Sequence, residues 1–307
     1  MTSFQLLLVA GTHGNEINAP WLFDQWKEKP SLIHTNDLKI KKVIGNPIAR
    51  KGCQRYLDRD LNRSFSPELL MNSEIKDLEA SRARELIRDY GPIGTNPCQL
   101  VIDFHSTTAC MGSSIVVYGS RSYDLAIASL IQKRLQLPIY LHEGDNSQKG
   151  FLVESWPCGF VVEIGPVPQG LVHNKIVNQT LLILETCINE ISSVINRQAI
   201  FPKQLIVHRY LQNIDFPKDS LGIPNAFIHS AIQDKDWTTI NADTPLFVNL
   251  EGDIFRLSEY SNENQVVPVF INEAAYSEKN IAMILTKKEA LDFDLSWGKE
   301  LYELVSI

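Results

Sequence analysis

The 307-residue chain is predicted to be an α/β protein in which helices flank a mainly parallel or mixed sheet, with a smaller β-rich domain after it. Up to about residue 200, short apolar runs alternate with segments of helical periodicity, which is typical of a parallel sheet covered on both faces. After Phe201-Pro202 the helical periodicity weakens, and short β-like runs are separated by Pro, Gly, Asn and Asp. We therefore expect a first domain over residues 1–200 and a second over residues 201–307.

Short apolar or alternating runs that end at turn residues identify the strands. The run at 4–10 ends at Gly11 and has the continuous apolar character of a buried parallel strand. Strands are expected at 4–10, 39–44, 100–104, 115–118 and 159–164 in the first domain, and at 204–211, 226–228, 246–250, 266–271 and 281–285 in the second.

Apolar residues at helical spacing identify the helices. In the first helix they are Leu22, Phe23 and Trp26, which we expect to face the core. Ser66-Pro67-Glu68 combines the cap, the first-turn proline and the acidic residue of a helix start. Helices are expected at 17–27, from Ser66-Pro67-Glu68 onward, and at 73–90, 123–135 and 172–195, of which the last is the longest.

The charge balance argues against nucleic acid as a partner. The 29 Lys and Arg residues face 36 Asp and Glu residues, which gives a formal net charge of −7, whereas nucleic-acid-binding proteins usually carry a basic stripe. No run approaches the roughly 20 apolar residues that span a membrane. We expect a small-molecule partner; the sequence leaves the oligomeric state open, with a dimer or a tetramer as candidate homo-oligomers.

The cysteines favour a reducing compartment. They are odd in number, widely spaced and never in a C-x-x-C pair, which fits buried free thiols better than a disulfide or zinc framework. They are Cys53, Cys98, Cys110, Cys158 and Cys187. The apolar start of the chain also lacks the basic residues and the cleavage site of a signal peptide. A cytoplasmic protein is therefore expected.

Candidate metal ligands follow two of the expected strands. His13 and Glu16 form an H-x-x-E pair after the first strand, and His105 ends another. Two imidazoles and one carboxylate are a typical zinc set for hydrolysis, but H-x-x-E is common by chance and a strand-end histidine is often a core residue. Asp103 is interpreted either as a partner of His105 or as a structural residue. The other histidines, namely His34, His142, His173, His208 and His229, are interpreted as surface or packing residues.

Two further polar features stand out. The run from Arg55 to Arg63 contains three arginines that alternate with aspartates, and it fits either a loop of mutually paired charges or a guanidinium site for a carboxylate. Glu163 interrupts an apolar strand, where a carboxylate is unfavourable unless it is paired or acts chemically. Beside a metal-activated water, such a residue would be a general base.

Together these segments closely resemble the aspartoacylase family, in order, from residue 7 to about residue 290. They are GTHGNE at 11–16, RYLDRDLNR at 55–63, DFHSTT at 103–108, EIGPVPQG at 163–170, QDKDW at 233–237 and VFINEAAY at 269–276. The resemblance implies a zinc-carboxypeptidase-like α/β domain and a β-rich domain that narrows the channel to the metal. It also implies hydrolysis of N-acetyl-L-aspartate to acetate and L-aspartate.

The resemblance assigns a role to each matching residue. One zinc ion per chain would be bound by His13, Glu16 and His105, and no organic cofactor would be needed. Glu163 would deprotonate the metal-bound water and then protonate the leaving amine, while Arg55 would polarise the scissile carbonyl. The α-carboxylate of the substrate would be bound by Asn62, Arg63 and Tyr276.

The sequence departs from the family at the loop that precedes Glu163. The better-known animal enzymes of the family carry a Tyr and an Arg there for the side-chain carboxylate of aspartate, whereas residues 145–157 contain Lys149 as their only cation. We expect Lys149 to bind this carboxylate, with Lys279 as the other candidate. Two milder departures are Ala10 and Ser106, where the family has Gly and Asn.

Other functions stay open on the sequence alone. An aminoacylase for neutral or aromatic N-acyl amino acids, or a desuccinylase, would use the same residues around the zinc ion. A carboxypeptidase would need a metal that is open to a polypeptide, which the second domain disfavours. A zinc-binding module without turnover would need neither Arg55 nor Glu163.

Overall fold

The computed structural model describes residues 4–145 and 148–306. The helices are α1 (Asn18–Glu28), α2 (Pro47–Lys51), α3 (Pro67–Met71), α4 (Leu78–Tyr90), α5 (Ser122–Leu135), α6 (Asn174–Ile195) and α7 (Leu295–Leu304). The strands are β1 (Leu6–Ala10), β2 (Ile40–Ile44), β3 (Leu100–Ser106), β4 (Ser113–Tyr118), β5 (Ile139–His142), β6 (Cys158–Ile164), β7 (Gln204–Asp215), β8 (Ala226–Ile228), β9 (Ile240–Asn241), β10 (Pro245–Asn249), β11 (Ile254–Arg256), β12 (Gln265–Val269) and β13 (Ile281–Asp292).

All the expected strands are present, and the differences from the sequence-based assignment are local. The helix predicted at 73–90 begins only at Leu78, because the Asp77 side chain accepts a hydrogen bond from Ala80 N at 2.8 Å and caps the helix there. The strands β5, β9 and β11 and the helices α2 and α7 were not expected. They are short, so local periodicity gives little signal for them.

A single sheet of ten strands organises the described chain, in the order β2-β1-β3-β6-β4-β5-β7-β13-β12-β9. The pairs β2-β1, β1-β3, β3-β6, β4-β5 and β5-β7 are parallel, and β4 runs antiparallel to β6. The predicted mainly parallel or mixed sheet flanked by helices is confirmed.

The alternation of side chains along the strands gives the sheet a core on each face. In β1, Leu6 and Leu8 pack in the core beneath α1, α5, α6 and α7, whereas Leu7 and Val9 pack in the opposite core with α4. Leu22, Phe23 and Trp26 of α1 are buried in the first of these cores, as expected. Both faces of the parallel strands are therefore covered, and their carboxyl ends stay free to form a site.

The strands after residue 200 extend the same sheet. The long strand β7 pairs parallel with β5 and antiparallel with β13, and β12 and β9 follow at the edge. A separate three-stranded sheet, β11-β10-β8, encloses a third core with this edge. The second part of the chain is thus β-rich and joined to the first by main-chain hydrogen bonds. The expected boundary near residue 200 stays a prediction.

All five cysteines are free, as expected, but they are not all buried. Cys98, Cys158 and Cys187 are buried, whereas Cys53 is exposed and Cys110 is intermediate. The expectation of five buried thiols is therefore wrong for Cys53 and Cys110, which lie in connecting segments. None of the described helices combines the length and the apolarity that a membrane span requires.

Helix α7 offers a test of how the end of the chain contributes to stability. Leu301 is 1% exposed and packs in the main core, whereas Leu295 in the same helix is 83% exposed. Leu301→Ala should lower the free energy of unfolding by about 2 to 5 kcal/mol. Leu295→Ala should change it by less than about 0.5 kcal/mol. Urea unfolding of the full chain would measure both, and equal losses would contradict the packing described here.

Candidate active site and metal centre

The candidate site lies at the carboxyl ends of β1, β3 and β6. His13 and Glu16 follow β1, and His105 lies near the end of β3. Glu163 on β6 is the register partner of His105 on the neighbouring parallel strand, so the two side chains point to the same face of the sheet. Adjacent strand ends therefore bring together residues that are far apart in sequence.

Two glycines allow the chain to turn between β1 and α1. Gly11 adopts a φ of +68°, which is unfavourable for residues with a Cβ. Gly14 packs against α2, and a Cβ there would lie 2.2 Å from the carbonyl carbon of Ala49. The Gly14 N–H also donates to Arg55 O at 3.1 Å, which ties the turn to the arginine-containing loop.

The three predicted metal ligands converge on one point. Their ligand atoms all lie within 4.8 Å of one another, and all three residues are buried. His13 Nδ1 lies 2.7 Å from Glu16 Oε1, and His105 Nδ1 lies 3.1 Å from Glu16 Oε2. The two Nδ1 atoms are 3.1 Å apart.

A carboxylate contacts the outer nitrogen of each of these histidines. His13 Nε2 lies 2.9 Å from Asp60 Oδ1, and His105 Nε2 lies 2.8 Å from Asp103 Oδ2. Because an ionised carboxylate only accepts, both Nε2 atoms carry hydrogen, and each Nδ1 offers a lone pair to the site whenever its ring is neutral. Burial would lower the pKa of His105, but Asp103 and Glu16 raise it well above its usual range, so these groups together favour a positive charge between them. The donor set therefore fits a metal ion such as zinc.

The charges of the inner site support this arrangement. Burial alone would raise the pKa of Glu16, but His13 and His105 hold it well below its usual range. Glu163 keeps some exposure to the pocket, yet burial raises its pKa to about 8; His105 opposes this shift, and Glu16 adds to it. Glu163 is thus a much stronger base than an exposed glutamate, as proton transfer from water requires.

The loop with the predicted substrate residues is fixed by a carboxylate that sequence reasoning missed. Glu79 is fully buried, and it accepts hydrogen bonds from Leu57 N at 2.8 Å and Asp58 N at 3.0 Å. It also accepts from Asn46 Nδ2 at 2.9 Å. Its position in the first turn of α4 explains why it was interpreted only as a helical residue.

Arg55 points into the site and is paired there. Its guanidinium lies 3.4 Å from Glu16 Oε1 and 3.3 Å from Asp60 Oδ2. Burial would lower the pKa of Arg55, but Asp60 and Glu16 raise it overall, so the group stays charged. The run from Arg55 to Arg63 was interpreted either as a loop of paired charges or as a guanidinium site for a carboxylate. The structure combines the two, because Arg55 pairs with Asp60 and this pair lies inside the pocket. Asp60 also orients His13.

The segment between β12 and β13 completes the pocket from the second part of the chain. Glu273 is buried and accepts hydrogen bonds from Thr108 N at 2.8 Å, Ala109 N at 2.9 Å and the Thr107 hydroxyl. Tyr276 lines the pocket three residues later. Glu273 lies within the matched segment 269–276, but no role was assigned to it from sequence.

The pocket is a small cavity of about 50 Å³ that is lined by charged and aromatic side chains. Around the charged inner end it has an aromatic wall. The predicted residues that line it are His13, Glu16, Arg55, Asn62, Arg63, His105, Glu163 and Tyr276, and the aromatic wall contains Tyr118, Tyr140, His142, Phe151 and Phe270. His142, which was interpreted as a surface or packing residue, is thus part of the pocket.

Lys149 is the predicted site residue that the structure does not bring into this pocket. Its side chain is exposed and lines a neighbouring groove with Glu68. Lys279 is also exposed and does not line the pocket, but its Nζ lies 3.3 Å from Oε1 of Gln148, which does. The geometry thus favours Lys279 over Lys149 as the cation for a distal group.

Similarity to known proteins covers the whole chain. Residues 3–191 match the succinylglutamate desuccinylase/aspartoacylase catalytic domain, and residues 203–288 match the AstE/AspA barrel-sandwich hybrid domain. The chain is 62% identical over 306 residues to a probable aspartoacylase of Prochlorococcus marinus strain SARG, with 100% of both proteins covered. It is 53% identical to a probable aspartoacylase of Prochlorococcus marinus strain NATL2A, with 99% of both covered.

Solved structures agree with these matches. Murine aminoacylase 3 superposes with a TM-score of 0.86 at 27% identity, covering 95% of this chain and 98% of that one. Succinylglutamate desuccinylase from Chromobacterium violaceum, at 15% identity and a TM-score of 0.62, shares the fold over 94% of this chain and 86% of its own. The resemblance identified from the sequence motifs is confirmed, and the chain belongs to the succinylglutamate desuccinylase/aspartoacylase family.

Proposed function

We propose that the protein is a zinc-dependent amidohydrolase that deacetylates N-acetyl-L-aspartate to acetate and L-aspartate. The observation that carries this proposal is the position of Glu163 beside the converging ligands His13, Glu16 and His105, with Arg55 in the same pocket. The curated relatives named probable aspartoacylase support the choice of substrate. The free cysteines favour a cytoplasmic location.

His13, Glu16 and His105 would hold the zinc ion, which when bound supplies a Lewis acid and lowers the pKa of water. Glu163 takes a proton from the attacking water and passes it to the amide nitrogen as the C–N bond breaks. The water oxygen remains in the acetate, and the amine leaves as L-aspartate. Arg55 donates to the carbonyl oxygen as negative charge develops on it.

A second candidate, an aminoacylase for neutral or aromatic N-acetyl amino acids, is favoured by the aromatic wall that includes Tyr118, Phe151 and Phe270. The structural neighbour from mouse is likewise named an aminoacylase, which supports this class of enzyme without indicating the side chain of the substrate. The experiment that separates the two compares kcat/KM for N-acetyl-L-aspartate, N-acetyl-L-asparagine, N-acetyl-L-leucine and N-acetyl-L-phenylalanine. We expect the aspartate derivative to be preferred; a preference for the phenylalanine derivative would overturn this choice of substrate.

Removal of a metal ligand tests the zinc proposal. The purified protein should hold about one zinc ion per chain and lose turnover on treatment with a chelator, because the open catalytic site has three protein ligands. His13→Ala should lose both zinc and activity. Elemental analysis and an assay for free aspartate measure the two effects. His34→Ala, which changes an exposed histidine, is the control; full activity of metal-free protein would disprove the proposal.

Removal of the base tests the mechanism. Glu163→Gln should keep zinc and substrate binding but lower kcat by a factor of roughly 10² to 10⁴, since the amide cannot accept the proton. Glu28→Gln, at the exposed end of α1, should leave kcat unchanged. Steady-state kinetics on zinc-loaded protein would show both effects. A Glu163→Gln variant with wild-type kcat would mean that another group is the base.

A further inference from the structure

At the outer end of the pocket, one neutral side chain is shared by two cations. Gln148 is 5% exposed, and its Oε1 accepts hydrogen bonds from Arg63 Nη2 at 2.7 Å and from Lys279 Nζ at 3.3 Å. Gln148 and Arg63 both line the pocket. The amide oxygen of Gln148 therefore occupies a position that two positive charges face.

The orientation of this amide is set by its other end. Gln148 Nε2 donates to Asp145 Oδ2 at 3.2 Å, and Asn213 Nδ2 donates to the same oxygen at 3.2 Å. The reverse orientation would point the amide N–H groups at two cations and the amide oxygen at a carboxylate. Hydrogen bonding thus identifies Oε1 as the atom between Arg63 and Lys279.

The two cations differ from Arg55 in their partners. Arg55 lies beside the carboxylates of Glu16 and Asp60, whereas the acceptor that Arg63 and Lys279 share is an uncharged amide. Arg63 is also stacked 3.9 Å above the Phe151 ring, which excludes water from one face of the guanidinium. A carboxylate accepts more strongly than an amide from such donors, so this end of the pocket favours an anion.

His142 places another polar group at the same end. It is 7% exposed, its Nδ1 lies 2.8 Å from Tyr140 Oη, and its Nε2 completes no hydrogen bond with the described residues. Burial lowers the pKa of His142 to about 4; Asp145 opposes this shift, and Arg63 and Lys279 add to it. The ring is therefore neutral near pH 7, and it leaves the positive charge to Arg63 and Lys279.

We propose that Gln148 is a specificity-determining residue whose side-chain oxygen occupies the position of one oxygen of the substrate's side-chain carboxylate, and that bound substrate displaces it from Arg63 and Lys279. This inference rests on the proposed function. Because the reacting amide lies near Arg55 and Glu163, the anion at the outer end belongs to the amino-acid half of the substrate. Arg63, which is expected at the α-carboxylate, would then contact both carboxylates of that half, with Nη2 on the side-chain carboxylate. Without substrate, Gln148 keeps Arg63 oriented and does not neutralise it.

Gln148→Glu is the first test, because it places a permanent carboxylate between the two cations. This internal anion should compete with the substrate and lower kcat/KM for N-acetyl-L-aspartate by about tenfold to a hundredfold. N-acetyl-L-asparagine, which has nearly the same shape but no second charge, should change by less than about threefold. Gln198→Glu adds the same charge at an exposed position and controls for net charge.

Gln148→Ala tests whether removal of the competing amide oxygen strengthens the binding of N-acetyl-L-aspartate. Once the competing oxygen is removed, KM for N-acetyl-L-aspartate should fall by about threefold to tenfold, and KM for N-acetyl-L-asparagine should change little. Gln148→Asn, with a shorter side chain that cannot reach both cations, should act in the same direction. An increase in KM for N-acetyl-L-aspartate in folded, zinc-loaded variants would overturn the proposal, because Gln148 would then bind the substrate directly.

Product binding separates this inference from the proposed function. Calorimetry on zinc-loaded protein should show that Gln148→Glu weakens L-aspartate at least about tenfold and leaves L-asparagine nearly unchanged. Equal weakening of both amino acids would overturn the inference, because the displaced oxygen would then mark the α-carboxylate. A wild-type protein that binds L-aspartate with this pattern but does not hydrolyse N-acetyl-L-aspartate would contradict the proposed function alone.

Discussion

The contact of two carboxylates with the outer nitrogens of two histidines is the constraint on which the rest of the site depends. Asp60 and Asp103 set which nitrogen of His13 and His105 carries hydrogen, and so make the inner nitrogens available with Glu16. This requires the loops after β1 and β2 and the end of β3 to meet. The order β2-β1-β3-β6 places these strand ends side by side, and β6 adds Glu163.

The second part of the chain is a component of the site as well as a cover for it. The segment between β12 and β13 contributes Glu273, Tyr276 and Lys279, and its position is fixed because β13 pairs along β7, which in turn pairs with β5. The hydrogen bonds of Glu273 to residues 107–109 connect this segment to the strand that carries His105. Movement of the β-rich part would therefore alter the pocket directly.

The distribution of charge differs between the two ends of the pocket. At the inner end, the positive charge of Arg55 is compensated by the carboxylates of Glu16 and Asp60. Arg55 can therefore stabilise negative charge on the reacting carbonyl oxygen without attracting a second anion. At the outer end, Arg63 and Lys279 face a neutral amide. A substrate with an amide near one end and carboxylates near the other fits this difference in charge in a single orientation. The aromatic wall provides contact area between the two ends.

The sequence by itself determined the alternating α/β architecture and the family, because apolar periodicity and compact motifs such as residues 11–16 are local properties. It also singled out His13, Glu16, His105 and Glu163, since glycine-rich turns and a charge in an apolar strand are unusual locally. Only the tertiary structure decided the roles of Asp60 and Gln148, whose partners are 47 and 85 residues away. Lys149 was chosen for its proximity in sequence to Glu163, whereas the pairing of β13 with β7 brings Lys279 next to Gln148, and such long-range packing leaves no local signal.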